Sequence, residues 1–191
     1  MLRLARGKGK HSKDVLRLID DTAAWLRDKD TDQWNKPWPT REKRDARVRR
    51  GLERGKTWLV WDDSMHALAA TVTIAKQPNL LVWPPSATSE PAVYVHRLIT
   101  RRYYAGLGIG AALIDWVGLQ ANEQYGAQSI RIDVWSSNRA LHEYYEKRGF
   151  EYYGSCADPS YPSGALFKKP ISGIQKCDTP LLRPPADVSL M

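Results

Sequence analysis

Three glycines at alternate positions, Gly106, Gly108 and Gly110 in RRYYAGLGIGAALIDW (residues 101–116), constrain this chain more than any other feature. Such a run lets the main chain approach a ligand where side chains would block it, and it admits left-handed turns without strain. The residues before it, VYVHRLIT from Val93 to Thr100, read as a strand. After it, Ile109, Ala112, Leu113, Trp116, Val117 and Ala121 recur at helical spacing, which gives a helix with one apolar face. Strand, glycine turn and helix in this order present the helix's first amides at the turn, where the helix dipole favours a phosphate or pyrophosphate. The same residues also suit a turn that only seats a strand on a helix, so this stretch alone leaves both readings open.

A chain of 191 residues accommodates one domain with a real core. The domain is expected over residues 1–170, and the proline-rich, aperiodic residues 171–191 are expected to form an irregular tail. No apolar run approaches the roughly 20 residues that a membrane span needs. The basic N-terminus MLRLARGKGKHSKD is not followed by the apolar segment of a signal peptide. With only two cysteines, Cys156 and Cys177, this points to a reducing, cytoplasmic setting and to no membrane partner. The formal net charge of +8 gathers in the first thirteen residues and in REKRDARVRRGLERGK, residues 41–56. Glu42, Asp45 and Glu53 interleave with that second run as on a solvated helix face, so a nucleic-acid partner is not expected.

The remaining periodicities predict the elements in order. Leu2 to Arg6 reads as a strand, and Val15, Leu18, Ile19, Thr22, Trp25 and Leu26 mark a helix from Lys13 that stops before Thr31. A second helix is expected from Thr40 to Arg54, ended by Gly55. Thr57–Trp61 and Leu68–Ile74 read as neighbouring strands joined by a turn at Asp62, Asp63 and Ser64. Ser129–Trp135 alternates, with Ile130, Ile132 and Val134 on one face and Arg131, Asp133 and Trp135 on the other. A helix over Asn138–Arg148, a stop at Gly149 and strands at Phe150–Tyr153 and Gly164–Lys168 complete the pattern. This is not the regular alternation of a doubly wound fold, so an α/β (α+β) protein with a mixed sheet is expected.

Read together, AGLGIGAAL after VHRLIT, and DVWSSNRALHEYYEKRGF some thirty residues later, resemble the GNAT family of N-acetyltransferases, which use acetyl-CoA. The resemblance covers about Val93 to Phe150 by motif and the flanks by element order. It implies a mostly antiparallel central sheet flanked by helices, with a V-shaped split between two central strands. It also implies that acetyl-CoA is held by the main chain of Gly106, Leu107, Gly108, Ile109 and Gly110. The basic or amide residue that opens the family's pattern is Ala105 here, a departure for which Arg101 or Arg102 is the expected substitute. Leu98 and Thr100 fall where the family pairs a strand with the pantetheine arm. Asn138 matches the family's cofactor-contacting asparagine, and Tyr145 matches its tyrosine.

The resemblance implies direct transfer of acetyl from acetyl-CoA to a primary amine, with no metal. Such transfer needs the reactants held together, the carbonyl polarised and the leaving thiolate protonated. Tyr145 is the expected acid. The base is either His96, a strand histidine of suitable ordinary pKa, or Asp133 acting by charge or through a water; plain structural roles for both stay open. His142 is expected to point outward. Trp34, Trp38, Trp83 and Trp135 are the candidate walls of a site for a small-molecule amine, and all four also suit simple packing. A non-catalytic CoA-binding regulatory module and a toxin-like aminoacyl-tRNA acetyltransferase are the alternatives, and a homodimer is left open.

Overall fold

The computed structural model describes residues 1–29, 31–172 and 174. Its elements are β1 (Leu2–Arg6), α1 (Ser12–Arg27), α2 (Arg41–Glu53), β2 (Thr57–Asp62), β3 (Ala67–Ala75), β4 (Ala92–Thr100), α3 (Ile109–Tyr125), β5 (Ser129–Val134), α4 (Arg139–Glu146), β6 (Glu151–Ser155) and β7 (Ala165–Pro170). Every element expected from periodicity is present in the expected order. The tail expectation falls almost wholly outside the described residues.

The seven strands form one sheet in the order β1-β2-β3-β4-β5-β7-β6. Pairing is antiparallel for β1 with β2, β2 with β3, β5 with β7 and β6 with β7, and parallel for β4 with β5. The parallel register runs only from Ala92↔Ser129 to Val95↔Ile132, although both strands continue. Two residues past its end, Arg97 takes φ 50°, a left-handed conformation that costs a non-glycine residue about 1–3 kcal/mol.

The chain divides into two compact units. One comprises Met1–Thr73 and Arg97–Ile114; the other comprises Ile74–His96 and the described residues from Asp115 onward. In the first, α1 and α2 bury Val15, Leu18, Ile19, Val48 and Leu52 against Leu59 and Leu68 of β2 and β3 and against Ile99. Truncating a fully buried member such as Leu59 to alanine costs about 2–5 kcal/mol. Thr40 caps α2 by accepting from the Lys43 amide. The basic run on α2 is not simply solvated, because Arg44 lies 2.7 Å from Asp20 of α1 and 2.7 Å from Asp45.

In the second unit, Val82, Trp83, Ala87, Tyr94 and Leu166 form a core. On β5, the face that carries Arg131 and Asp133, with Trp135 just past its end, is largely buried. Arg131 is 1% exposed; it donates to Glu90 (2.9 Å), the Tyr94 hydroxyl (2.9 Å) and the Ala87 carbonyl. The rings of Trp83, Tyr94 and Tyr153 surround its guanidinium at 5.8, 5.7 and 5.5 Å. A buried cation is tolerated only with such partners, and Glu90, carrying Lys168 and Ser129 as well, supplies the opposite charge.

Candidate active site

The glycine turn belongs to the first unit. Gly106 and Gly108 take φ 82° and 73°, and α3 begins at Ile109 with its first backbone bond running from Ala112 to the Gly108 carbonyl. Left-handed residues that alternate with ordinary ones curl successive N–H groups toward one side as an anion-binding nest, and helix geometry leaves the first amides of α3 without intrahelical partners. A Cβ on Gly106 would meet nothing within 4 Å, so the approach to the turn there is open. Acetyl-CoA fits this feature, because its diphosphate needs donors delivered by main chain with no side chain in the way.

Contacts from three residues inside the same unit seat the turn. The buried Tyr104 hydroxyl donates to Asp62 Oδ2 (2.9 Å). Arg101 donates to the Leu68 carbonyl through Nε (2.9 Å) and to the Ala69 carbonyl through its amide (2.8 Å). The Arg102 guanidinium lies over the Trp25 ring at 4.0 Å. Both arginines expected to replace the family's basic residue are thus engaged by the protein: Arg101 as a brace, Arg102 as an exposed cation stacked on an indole. Asp62 accepts from the Ser64 hydroxyl and, against the effect of burial, from Tyr104 and two turn amides, which holds its carboxyl down to about 2. Leu98 and Thr100 flank the core residue Ile99 and are half-buried.

The acid and base candidates lie together in the second unit. His96 Nδ1 is 3.2 Å from Asp133 Oδ1, and the Tyr161 hydroxyl donates to Asp133 Oδ2 at 2.7 Å. The Asp133 side chain is 8% exposed and that of His96 27%. Burial pushes the Asp133 carboxyl up, but the His96 charge and hydrogen bond and the Tyr161 hydroxyl outweigh it, so the group stays below the ordinary value. Asp133 is therefore neither an exposed carboxylate nor a partner of Arg131. Tyr145 is buried, its ring edge-on to Phe150 (5.3 Å) and Tyr144 (5.2 Å). Burial, then the neighbouring Tyr144 and the Asp133 charge, push its phenol well above the ordinary value, so it keeps its proton throughout the neutral range.

Several nominated residues have structural contacts that the sequence did not show. Asn138 Oδ1 accepts from the Leu141 amide (3.0 Å) and caps α4. His142 is a correction: it is buried, with Nε2 2.8 Å from the Trp135 carbonyl and its ring tilted on Phe167. Its spacing of three from Tyr145 places both on one helix face, a signal the sequence did carry. Trp83 is 1% exposed in the core, so packing rather than a ligand wall is its contact in this structure. Trp34 packs on the first unit's core, Trp38 lies under the Arg47 guanidinium at 5.5 Å, and Trp135 is buried. No local pattern in the sequence marks Tyr161 as a partner of Asp133. A cavity of about 370 Å³ that includes Lys76, Glu90, Tyr94 and Tyr125 in its wall contains none of the nominated residues. Among the described residues, no group of His, Cys, Asp and Glu is arranged to hold a metal, and no helix is long and apolar enough to cross a membrane.

Comparison with known proteins bears on the family and the fold. Residues 20–150 match the model of the acetyltransferase (GNAT) family. The chain is 29% identical over 166 residues to a Bacillus subtilis (strain 168) protein described as the uncharacterized N-acetyltransferase YesJ, covering 84% of this chain and 86% of that one. A GNAT-family acetyltransferase structure from Listeria monocytogenes 4b F2365 superposes with a TM-score of 0.69 at 22% identity, covering 87% of this chain and 93% of that chain. The PaiA N-acetyltransferase from Thermoplasma acidophilum, solved in complex with coenzyme A, superposes with a TM-score of 0.65 at 15% identity over 89% and 99% of the two chains. At these identities the two structures establish the shared fold.

Proposed function

The chain belongs to the acetyltransferase (GNAT) family, and we propose that it transfers the acetyl group of acetyl-CoA directly to a primary amine of a small molecule. The observation that carries this reading is the placement of a half-exposed imidazole on a buried carboxylate, His96 on Asp133, in the same unit as a phenol that keeps its proton, Tyr145. Support for the co-substrate comes from the nest at Gly106 and Gly108 and from likeness to a structure that holds coenzyme A.

When bound, acetyl-CoA supplies an activated acetyl thioester and a thiolate leaving group. The amides of residues 106–110 would hold its diphosphate, and the main chain of Leu98 and Thr100 would line its pantetheine arm. Arg102 adds a positive charge near the turn. His96 Nε2 takes a proton from the ammonium form of the acceptor and so frees the nitrogen lone pair for attack; Nδ1 stays on Asp133. Tyr145 would donate a hydrogen bond to the leaving thiolate and pass its proton to it, and the acceptor nitrogen, on losing its second proton, would restore the phenol. One proton leaves overall, the one His96 took. A phenol raised by burial is a weak acid, so Tyr145 acts chiefly by donating a hydrogen bond as charge develops on sulfur.

The test is thiol release from acetyl-CoA with a panel of small primary amines, confirmed by mass of the acetylated product. We expect turnover with at least one amine, and a fall of about 10²-fold or more in kcat for His96→Gln. Coenzyme A binding with no transfer to any amine, from small molecules through peptides, would replace this reading with that of a binding module.

A further inference from the structure

Two side chains meet the two oxygens of the Asp133 carboxylate. Oδ1 faces His96 Nδ1 at 3.2 Å, and Oδ2 accepts from the Tyr161 hydroxyl at 2.7 Å. A carboxylate bound at one oxygen alone can swing off its partner imidazole, and in the moments of lost contact nothing holds the proton on Nδ1. Bound at both, it presents Oδ1 in one direction.

Tyr161 is itself held in place. It sits in the loop between β6 and β7, where Ser136 and Pro162 are tied by the Ser136 amide (2.9 Å), and Gly164 donates its amide to Ser136 Oγ (2.9 Å). Cys156 donates its amide to the Gly164 carbonyl (2.7 Å), which closes the loop on itself. A side chain on Gly164 would put its Cβ 2.9 Å from Ser136 Oγ, so the close approach depends on glycine. The Tyr161 ring lies against the core built from Val82, Trp83, Ala87, Tyr94 and Leu166. Its hydroxyl therefore arrives at Asp133 from a braced position.

We propose that Tyr161 is a positioning residue for His96, acting through Asp133: the chain Tyr161–Asp133–His96 fixes the imidazole with its proton on Nδ1 and leaves Nε2 as the proton acceptor. The proposal rests on the reading of His96 as the base. A carboxylate that accepts a hydrogen bond on Oδ2 also stays ionised more readily, and an ionised Oδ1 can only accept, so Nδ1 must be the donor. The other titratable group that senses Asp133 is Tyr145 of α4, which remains a neutral donor and does not compete for the imidazole proton. This logic also gives a reason for a tyrosine in a loop otherwise made of small and polar residues.

The experiment uses the full chain with its histidine ring nitrogens labelled with ¹⁵N, and reads the His96 tautomer from the nitrogen shifts at a pH where the ring is neutral. His96→Gln assigns the signal. In the wild type the Nδ1–H form dominates. In Tyr161→Phe, which keeps the ring and its packing, the ratio of Nδ1–H to Nε2–H falls by about fivefold or more, the loss of one hydrogen bond's worth of preference. Ser136→Ala loosens the same loop without touching Asp133; it lowers the melting temperature and leaves the tautomer ratio in place. An unchanged ratio in Tyr161→Phe, or an equal change in Ser136→Ala, overturns the proposal. The reading of His96 as base fails separately: His96→Gln would then match the wild type in the amine assay, whatever the nitrogen shifts show.

Discussion

On the proposed reading, the glycine turn and the Asp133 cluster solve different problems with different materials. The turn works with main chain: two residues at φ 82° and 73° aim amides outward, and the side chains near it, Tyr104, Arg101 and Arg102, serve as braces. The cluster works with side chains from four places in the sequence, His96, Asp133, Tyr145 and Tyr161, and its backbone serves only as a frame. Main-chain donors carry no pKa and cannot be tuned, which suits holding a permanently charged diphosphate. Proton transfer needs groups whose ionisation the surroundings can shift, and burial beside a charge does so for Asp133 and Tyr145. Damage to the turn should therefore appear in binding, and damage to the cluster in turnover.

The sharpest break of that comparison is Tyr145→Phe. The ring and its edge contacts with Phe150 and Tyr144 survive, so folding should be preserved while kcat falls by about 10²-fold with acetyl-CoA affinity little changed. Stopped-flow or steady-state thiol release together with calorimetric binding measures both, and equal turnover in the two proteins would make the phenol a packing residue. Next comes Gly108→Val at φ 73°, where a β-branched side chain in a left-handed conformation costs about 1–3 kcal/mol. Acetyl-CoA affinity should drop about 10- to 100-fold by calorimetry, with KM rising and kcat for saturated enzyme much less affected. A fall confined to kcat would contradict the division of labour drawn here.

A smaller effect separates the supports of the two regions in acid. Asp62 under the turn titrates at about 2, held there by Ser64, Tyr104 and turn amides. A carboxyl depressed in the folded state contributes stability that is fully present above its ordinary value near 3.8 and is lost as pH falls through about 2. Asp62→Asn should therefore flatten the dependence of melting temperature on pH between about 4 and 2, and thermal melts across that window check it. An unaltered slope would place the acid sensitivity elsewhere, with Glu90, also near 2 through Lys168 and Ser129, the first alternative. The smallest effect belongs to Arg102→Ala. Loss of an exposed cation–π contact with Trp25 costs about 0.5–1 kcal/mol, and acetyl-CoA affinity should weaken by less than about tenfold, more so at low salt than at high.

The elements were legible because their signals are local. The apolar stripe on α1, the glycine stops and the strand alternation each lie within a few residues, and the structure places them where those signals predict. The burial of the polar face of β5 was not legible, for the complementary reason. Alternation says that Arg131 and Asp133 share a face, but only the distant Glu90, Tyr94, His96 and Tyr161 make burial of that face affordable. Trp83 was ambiguous as a loop tryptophan until Tyr94 and Leu166 closed over it.

By itself the sequence determined which segments are strands and helices, where the main chain must turn through left-handed space, and which family these motifs resemble, because backbone preferences and short-range periodicity are written residue by residue. Only the tertiary structure decided that His96, Asp133 and Tyr161 touch, that Arg131 is internal, and that Arg101 and Arg102 brace the turn. Those are contacts between residues 28 to 77 positions apart, and their energies depend on burial and on the partner's charge, neither of which exists until the chain has folded.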